Sequence, residues 1–315
     1  MKLKLLLSPL TKAAYFADYL DVARAEFLAH YPASEAKLQR QATLDFLNVE
    51  LNEEELPQLS RLSFVQGIFE ADADKLVPVN QEPGFVLPEE LVYAAKYQGK
   101  TNELVTQLAI NIGLVYASIR SGEVPQLLDP MAGRGTTLLW ALRYGMDARG
   151  IEQDEKALVG LHQHVKKQTK LHRIKHQHSQ GFIGRSNKRG RGKFDQFQFS
   201  ERILRLTIGD SREAGKLVQG KRFHLLVCDL PYGVQHVTTA GTRDPLPVIR
   251  ECAPAWVDCL RKGGVLVLVF NSYQPARSDL LQLFTELGLQ PQDFSAPHRM
   301  SESILRDLVV LTKVR

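Results

Sequence analysis

"LLDPMAGRGTTLLW", residues 127–140, decides how this chain folds. Apolar residues run into Asp129, a short loop carries Pro130, Ala132, Gly133 and Gly135, and Thr136 opens a segment with apolar residues at helical spacing. Strand, glycine turn and helix in that order form the opening unit of a doubly wound α/β sheet, where ligands sit at the carboxyl ends of the strands. Glycines suit the turn because they reach backbone conformations closed to other residues and let a ligand approach the main chain.

The pattern on either side agrees. "TNELVTQLAINIGLVYASIR" predicts an amphipathic helix with Thr101 or Asn102 as N-cap. "DARGIE", "ILRLTIGD", "FHLLVCDL" and "GGVLVLVFNS" read as successive strands rich in Val, Leu and Ile. "LPVIRECAPAWVDCLRKGG" predicts the helix before the last of these, with its glycine pair as the stop, and "DLLQLFTELGL" and "DLVVLTKV" close the chain as helix and strand. Residues 91–315 are therefore expected to form a Rossmann-like, mainly parallel sheet. Residues 1–90 predict a small α+β domain: strand "KLKLLL", helix "AAYFADYLDVARAEFLAHY", strands "ATLDFLNVEL" and "SFVQGIFEA", then "NQEPGFVLPEE" as linker.

Composition bounds the class. The chain has 315 residues, of which 44% are apolar, and no apolar run reaches the ~18–20 residues a membrane span needs. The opening "MKLKLLLSPLTKAAYF" imitates a signal peptide, but Pro9 and Lys12 break it, and a first strand is the better reading. Cys228, Cys252 and Cys259 have neither CxxC spacing nor a histidine set around them, so no disulfide framework or metal site is expected and a reducing cytoplasm fits.

Charge is uneven. Residues 162–193 hold ten Lys and Arg, five His and no acid, leaving the rest of the chain at −5 within a total of +5. Read as a basic insertion, 162–199, this block offers Lys166, Lys167, Lys170, Arg173, Lys188, Arg189 and Arg191 to a nucleic-acid backbone. A solvated insertion without a partner is the other reading. "FDQFQFS" after the block either stacks bases or anchors the insertion.

The loop is not GxGxxG. A carboxylate directly before it would repel a pyrophosphate, which argues against NAD, but Asp129 can accept from an amino group such as that of S-adenosylmethionine (SAM). Glu152 stands at the end of the next strand, 19 residues beyond Gly133, where an acid can hold a ribose diol; it can also be a surface carboxylate. Asp210 can accept from the adenine amine, while Asp210 or Ser211 can equally cap the following helix. Candidate cofactor contacts are thus Asp129, Pro130, Ala132, Gly133, Gly135, Thr136, Glu152, Asp210 and Ser211.

"DLPYGVQH", residues 229–236, ends the fourth strand of the sheet. Methylating an exocyclic amine on an aromatic ring is slow because its lone pair is delocalised into the ring. Asp229 and the carbonyl of Leu230 can accept from that N–H, Tyr232 can stack on the ring, and Pro231 holds the turn in one shape. A tight turn whose tyrosine packs on the core is the alternative.

Together these stretches resemble the class I SAM-dependent methyltransferases with an amine-methylating [DNS]-P-P-[YFW] motif. "DPMAGRGTTL" is similar to their cofactor loop, and "DLPYG" departs only at Leu230. The D-x-P-[YF]-G form looks most like the tRNA guanosine N2-methyltransferases related to the THUMP-containing enzymes, with weaker likeness in "KYQGKTNELVTQ" and "HRMSESILRDLVVL". The resemblance runs from about residue 90 to the C-terminus, and residues 1–90 match no THUMP domain. It implies SAM as cofactor and N2-methylation of guanine in tRNA, with residues 1–90 helping to position the RNA. Adenine N6 methylation of DNA or rRNA, glutamine N5 methylation of a protein, and a non-catalytic SAM/RNA-binding module are the rivals.

Overall fold

The computed structural model describes residues 1–72, 75–94, 102–184, 192–231 and 244–314. The first sheet is formed by β1 (Lys2–Leu7), β2 (Lys37–Gln41), β3 (Leu44–Glu50), β4 (Val65–Asp72) and β5 (Lys75–Pro78), antiparallel in the order β2-β3-β1-β4-β5. Leu3, Leu5 and Leu7 of β1 alternate inward onto Phe27, Leu47 and Phe64, as period-two patterning requires. The helix expected over "AAYFADYLDVARAEFLAHY" is broken in two, α1 (Leu10–Tyr15) and α2 (Tyr19–His30), because Phe16 takes a left-handed φ of 50°. A short α3 (Leu56–Leu59) completes this part.

The helices that follow are α4 (Glu90–Tyr93), α5 (Glu103–Tyr116), α6 (Thr136–Arg143), α7 (Glu155–Leu171), α8 (Ala214–Leu217), α9 (Leu246–Cys259) and α10 (Arg277–Glu286). They flank β6 (Gln126–Asp129), β7 (Asp147–Glu152), β8 (Gln177–Phe182), β9 (Lys193–Phe199), β10 (Arg202–Ile208), β11 (Phe223–Asp229), β12 (Leu260–Asn271), β13 (Leu289–Pro291), β14 (His298–Ser301) and β15 (Ile304–Lys313). Five strands pair in parallel in the order β10-β7-β6-β11-β12. Taken in chain order these are 3-2-1-4-5, the doubly wound arrangement, whose direction reverses between β6 and β11. Antiparallel β15 lies between β12 and β13, and the β8–β9 hairpin extends the opposite edge beside β10. The expected Rossmann-like, mainly parallel sheet is therefore present, preceded by an antiparallel one. Among the described residues no helix is long and apolar enough to cross a membrane.

Three local expectations change. The glycine pair does not end α9: the helix stops at Cys259, and Gly263 (φ 72°) and Gly264 lie inside β12, where a Cβ on Gly264 would stand 3.0 Å from the Phe223 carbonyl. The basic block is not one insertion, since its first ten residues are the second half of α7 and the rest includes the β8–β9 hairpin. The stretch read as a linker is docked, with Arg61 donating to the carbonyls of Pro83 and Gly84 and Phe85 packing on Trp140 and Tyr144.

α1 and α2 lie against α5, joining the two parts through a polar seam. Glu26 of α2 is fully buried and accepts from Ser63 N–H (2.9 Å), Ser63 Oγ (2.5 Å) and Asn111 Nδ2 (2.7 Å). The Tyr144 hydroxyl donates in turn to Asn111 Oδ1. Burial outweighs these donors and pushes the Glu26 carboxyl up to about 7. A raised carboxyl holds its proton while the unfolded chain releases its own, so its contribution is intact below about pH 4.5 and is lost as pH rises to about 7. At about 1.4 kcal/mol per pH unit the loss is on the order of 3 kcal/mol. Denaturant titrations from pH 4 to 8 are expected to show this decline, with a shallower slope in Glu26→Gln; equal slopes would contradict the assignment.

Candidate functional site

Four carboxylates stand in a row at the carboxyl edge of the sheet. Asp210 follows β10, Glu152 ends β7, Asp129 ends β6 and Asp229 ends β11, four strands that are neighbours in this order. Asp129 pairs in register with Gly150, two residues before Glu152, and Asp129 and Asp229 flank the point where strand order reverses. Gly150 must be glycine here: a Cβ would lie 2.7 Å from Ala132 Cβ and from Leu138 Cδ1, so the loop and α6 could not close onto β7.

The loop after β6 is held by its own amides. Met131 N–H donates to Asp129 Oδ1 (3.1 Å), Ala132 N–H to Ile151 O (2.9 Å), Gly133 N–H to Glu152 Oε2 (2.9 Å) and Gly135 N–H to Ala132 O (2.8 Å). In dinucleotide folds such amides cradle a pyrophosphate. Here these four are engaged within the protein, so the loop is poorly disposed toward phosphate. Gly133 and Gly135 adopt φ of 49° and 83°, and Gly135 serves as N-cap of α6. A Cβ on Gly133 would meet nothing within 4 Å, so its backbone faces open space. Pro130, Ala132 and Thr136 are buried beneath the turn.

Glu152 is fixed by the amides of Gly133, Gln153 (2.7 Å) and Asp154 (3.0 Å), half-buried with its carboxylate at the loop. Asp129 is 2% exposed, and burial pushes its carboxyl up to about 7, aided by the charges of Asp229 and Glu152 and opposed by hydrogen bonds from Thr137 and the Met131 amide. An acid held this way ionises readily once a cation arrives beside it.

Of the two caps the sequence offers, Asp210 takes the role, accepting from Arg212 N–H (2.9 Å), and it also pairs with the Arg212 guanidinium at 2.6 Å. Arg212 reaches Glu251 as well (2.8 Å). Ser211 is buried: its Oγ donates to Pro130 O (2.7 Å) and accepts from Trp256 Nε1 (2.9 Å), tying the first loop to α9. Its hydroxyl therefore holds the site's frame.

At the end of β11, Leu230 is buried and its N–H donates to Val269 O (2.8 Å), while Pro231 is half-buried. A proline at 230 would lack that N–H and the bond. The departure of "DLPY" from the two-proline pattern thus gains a backbone bond to β12. Asp229 meets the guanidinium of buried Arg306, from β15, at 3.3 Å. Sequence reading missed this arginine, and its only signal was a charge within the apolar run "ILRDLVVL". Tyr232, Lys188, Arg189 and Arg191 lie outside the described residues.

Lys166, Lys167 and Lys170 project from α7 and are exposed, as is Arg173 just beyond it. Lys166, Lys170, Arg173, Lys175, His162 and His178 line a cleft of about 410 Å³ between α7 and the β8–β9 hairpin. Phe197 of "FDQFQFS" is buried at its base, which favours the anchoring reading for that residue. His298 is buried against Tyr15 (ring centroids 5.0 Å), whereas Arg299 is exposed.

No protein-family model matches the chain, and no curated protein matches it in sequence. Among solved structures it is similar to TrmN from Thermus thermophilus, at 15% identity over 90% of this chain and 60% of that one, with a TM-score of 0.46. It thus spans about 60% of that protein's length. A TehB-like SAM-dependent methyltransferase from Corynebacterium glutamicum matches at 15% identity over 60% of this chain and 80% of that one, TM-score 0.38. A rRNA methylase from Streptococcus thermophilus matches at 12% identity over 61% and 88%, TM-score 0.38. The fold assignment itself stands on the strand order given above.

Proposed function

We propose that the chain is a SAM-dependent methyltransferase acting on an exocyclic amine of a nucleobase in RNA, with guanine N2 of tRNA as the target. The observation that carries the reading is the row of carboxylates at the switch point, beside a loop whose Met131, Ala132, Gly133 and Gly135 amides are engaged internally. That set favours a ligand that is cationic and rich in N–H and O–H donors over a phosphate ester. SAM fits it: Asp129 would take the ammonium group, Glu152 the ribose hydroxyls and Asp210 the adenine amine. Gly133 and Gly135 would leave the main chain open to it, and Pro130, Ala132, Thr136 and Ser211 would support the loop. When bound, SAM would supply an electrophilic methyl group.

The remaining work falls to the chain. Asp229, held by Arg306, would accept the amine N–H together with the Leu230 carbonyl and orient its lone pair. Tyr232 would stack on the ring, and a base within a helix would be flipped out to reach the site. Asp229 would take the proton that becomes acidic once the methyl has arrived. Residues 1–90 would help position the RNA.

Lys166, Lys167 and Lys170 would contact the RNA backbone. Replacing all three by Gln is expected to weaken RNA binding and to reduce the slope of log K against log salt by about 2 for three lost contacts. Filter binding between 50 and 300 mM salt, on the order of the usual range, reads this, and an unchanged slope would mark the helix face as solvated only. Comparing the modified nucleosides of RNA from cells with and without the gene tests the function itself. Loss of one N2-methylguanosine from tRNA is expected, and an unchanged profile would count against the reading.

A further inference from the structure

We propose that His162, His178 and Asp195 form a binding site for a divalent ion of the zinc class, which pins the β8–β9 hairpin to α7. The three residues come from α7, β8 and β9, and their ligand atoms all lie within 4.8 Å of one another. His162 Nδ1 is 3.1 Å from Asp195 Oδ2, and His178 Nε2 is 3.2 Å from Asp195 Oδ1. Zinc–ligand bonds of about 2.0–2.1 Å at tetrahedral angles set neighbouring donors about 3.3 Å apart. Each histidine stands near that distance from one oxygen of Asp195, and the set, spread over up to 4.8 Å, would close in to share one ion. The imidazoles meet edge to face, with ring centroids 4.7 Å apart.

The position of Asp195 needs an explanation. β9 alternates, and its inward positions are Asp195, Phe197 and Phe199. An acid stands where an apolar residue is expected, and it is 0% exposed. A buried carboxylate is retained when it is paired or ligates a metal. Phe197 packs against both histidines, at 5.8 and 4.8 Å between centroids, giving the site an apolar wall. On the other side both histidines line the basic cleft, so water can fill a fourth position. The exposed ammonium groups there are screened by solvent and salt, whereas Asp195 is not. Two nitrogens, one carboxylate and an open place are the donor set of a zinc site that keeps one exchangeable ligand.

The test uses the untagged chain of 315 residues, stripped with chelator and titrated with zinc alone, with metal content measured after dialysis. One equivalent is expected for the wild type, with affinity at least tenfold lower in His162→Gln and in His178→Gln. Cobalt in place of zinc should give the visible absorption of a four- or five-coordinate imidazole site in the wild type and none in the double variant. Zinc should raise the melting temperature of the wild type by several degrees and leave the double variant unchanged. If either histidine variant fails to fold, the cobalt spectrum of the wild type decides alone. No stoichiometric zinc, or zinc retained equally by the double variant, would overturn the proposal and leave a buried carboxylate hydrogen-bonded to two imidazoles.

Discussion

Asp229→Ala is expected to lower methyl transfer to RNA by roughly 10²–10⁴-fold while leaving SAM affinity within a few fold. The carboxylate stands at the end of β11, across the switch point from Asp129. It would both orient the amine before transfer and receive its proton afterwards, and alanine can do neither. Arg306 complicates the substitution, because its guanidinium is buried and meets Asp229 at 3.3 Å. Removing one partner of a buried pair destabilises by about 3–5 kcal/mol. Asp229→Asn is therefore the companion variant. It keeps an acceptor for Arg306 and for the amine but cannot take the proton, so it should fold and bind SAM, and its rate separates orientation of the amine from proton acceptance. A rate near wild type in Asp229→Asn with normal RNA binding would remove Asp229 from proton transfer and leave it the orienting role alone. A near-wild-type rate in Asp229→Ala would remove it from the chemistry.

Asp129→Asn is expected to weaken SAM binding by about 10–100-fold, as befits a lost hydrogen bond to a charged group, worth about 1.5–3 kcal/mol. The carboxyl sits near 7 because it is buried, with Asp229 and Glu152 adding to the shift. Only the ionised form attracts an ammonium. Wild-type affinity should therefore fall as pH drops below about 7, approaching tenfold per pH unit, and the dependence should flatten in Asp129→Asn. Stability moves the other way. Burial of Asp129 costs nothing below the ordinary carboxylate range of 3.8 and destabilises increasingly as pH rises to about 7. The Asn variant can still accept from the Met131 amide and should be at least as stable as wild type at pH 8. Calorimetric titration of SAM from pH 5.5 to 8 reads the binding arm. A wild-type profile that stays flat would mean that Asp129 does not face the ammonium.

The central sheet was legible because its strands are buried on both faces. β11 carries the apolar run "LLVC" and β12 "VLVLVF", and Asp129, Glu152, Asp210 and Asp229 mark where four of the strands end. The edge strands were not. "QHSQGF" of β8 is polar and almost wholly exposed, so no alternation announces it, and only pairing with β9 makes it a strand. "KLQRQ" of β2 is hidden for the same reason. Within the site, local roles could be read and distant partners could not. The capping role of Asp210 follows from its neighbours, but the contact between Asp229 and Arg306 spans 77 residues and depends on β15 turning back beside β12. His162, His178 and Asp195 were visible only as members of a basic, aromatic stretch, because their meeting requires α7 to run past residue 162.

The central claim is met most directly by incubating the purified chain with SAM carrying a tritiated methyl group and total tRNA from cells lacking the gene, then digesting the RNA to nucleosides. Label in N2-methylguanosine, absent with Asp229→Ala, is the predicted result. Label in N6-methyladenosine would keep the site and correct the base. SAM bound tightly with no label in any RNA would contradict the account.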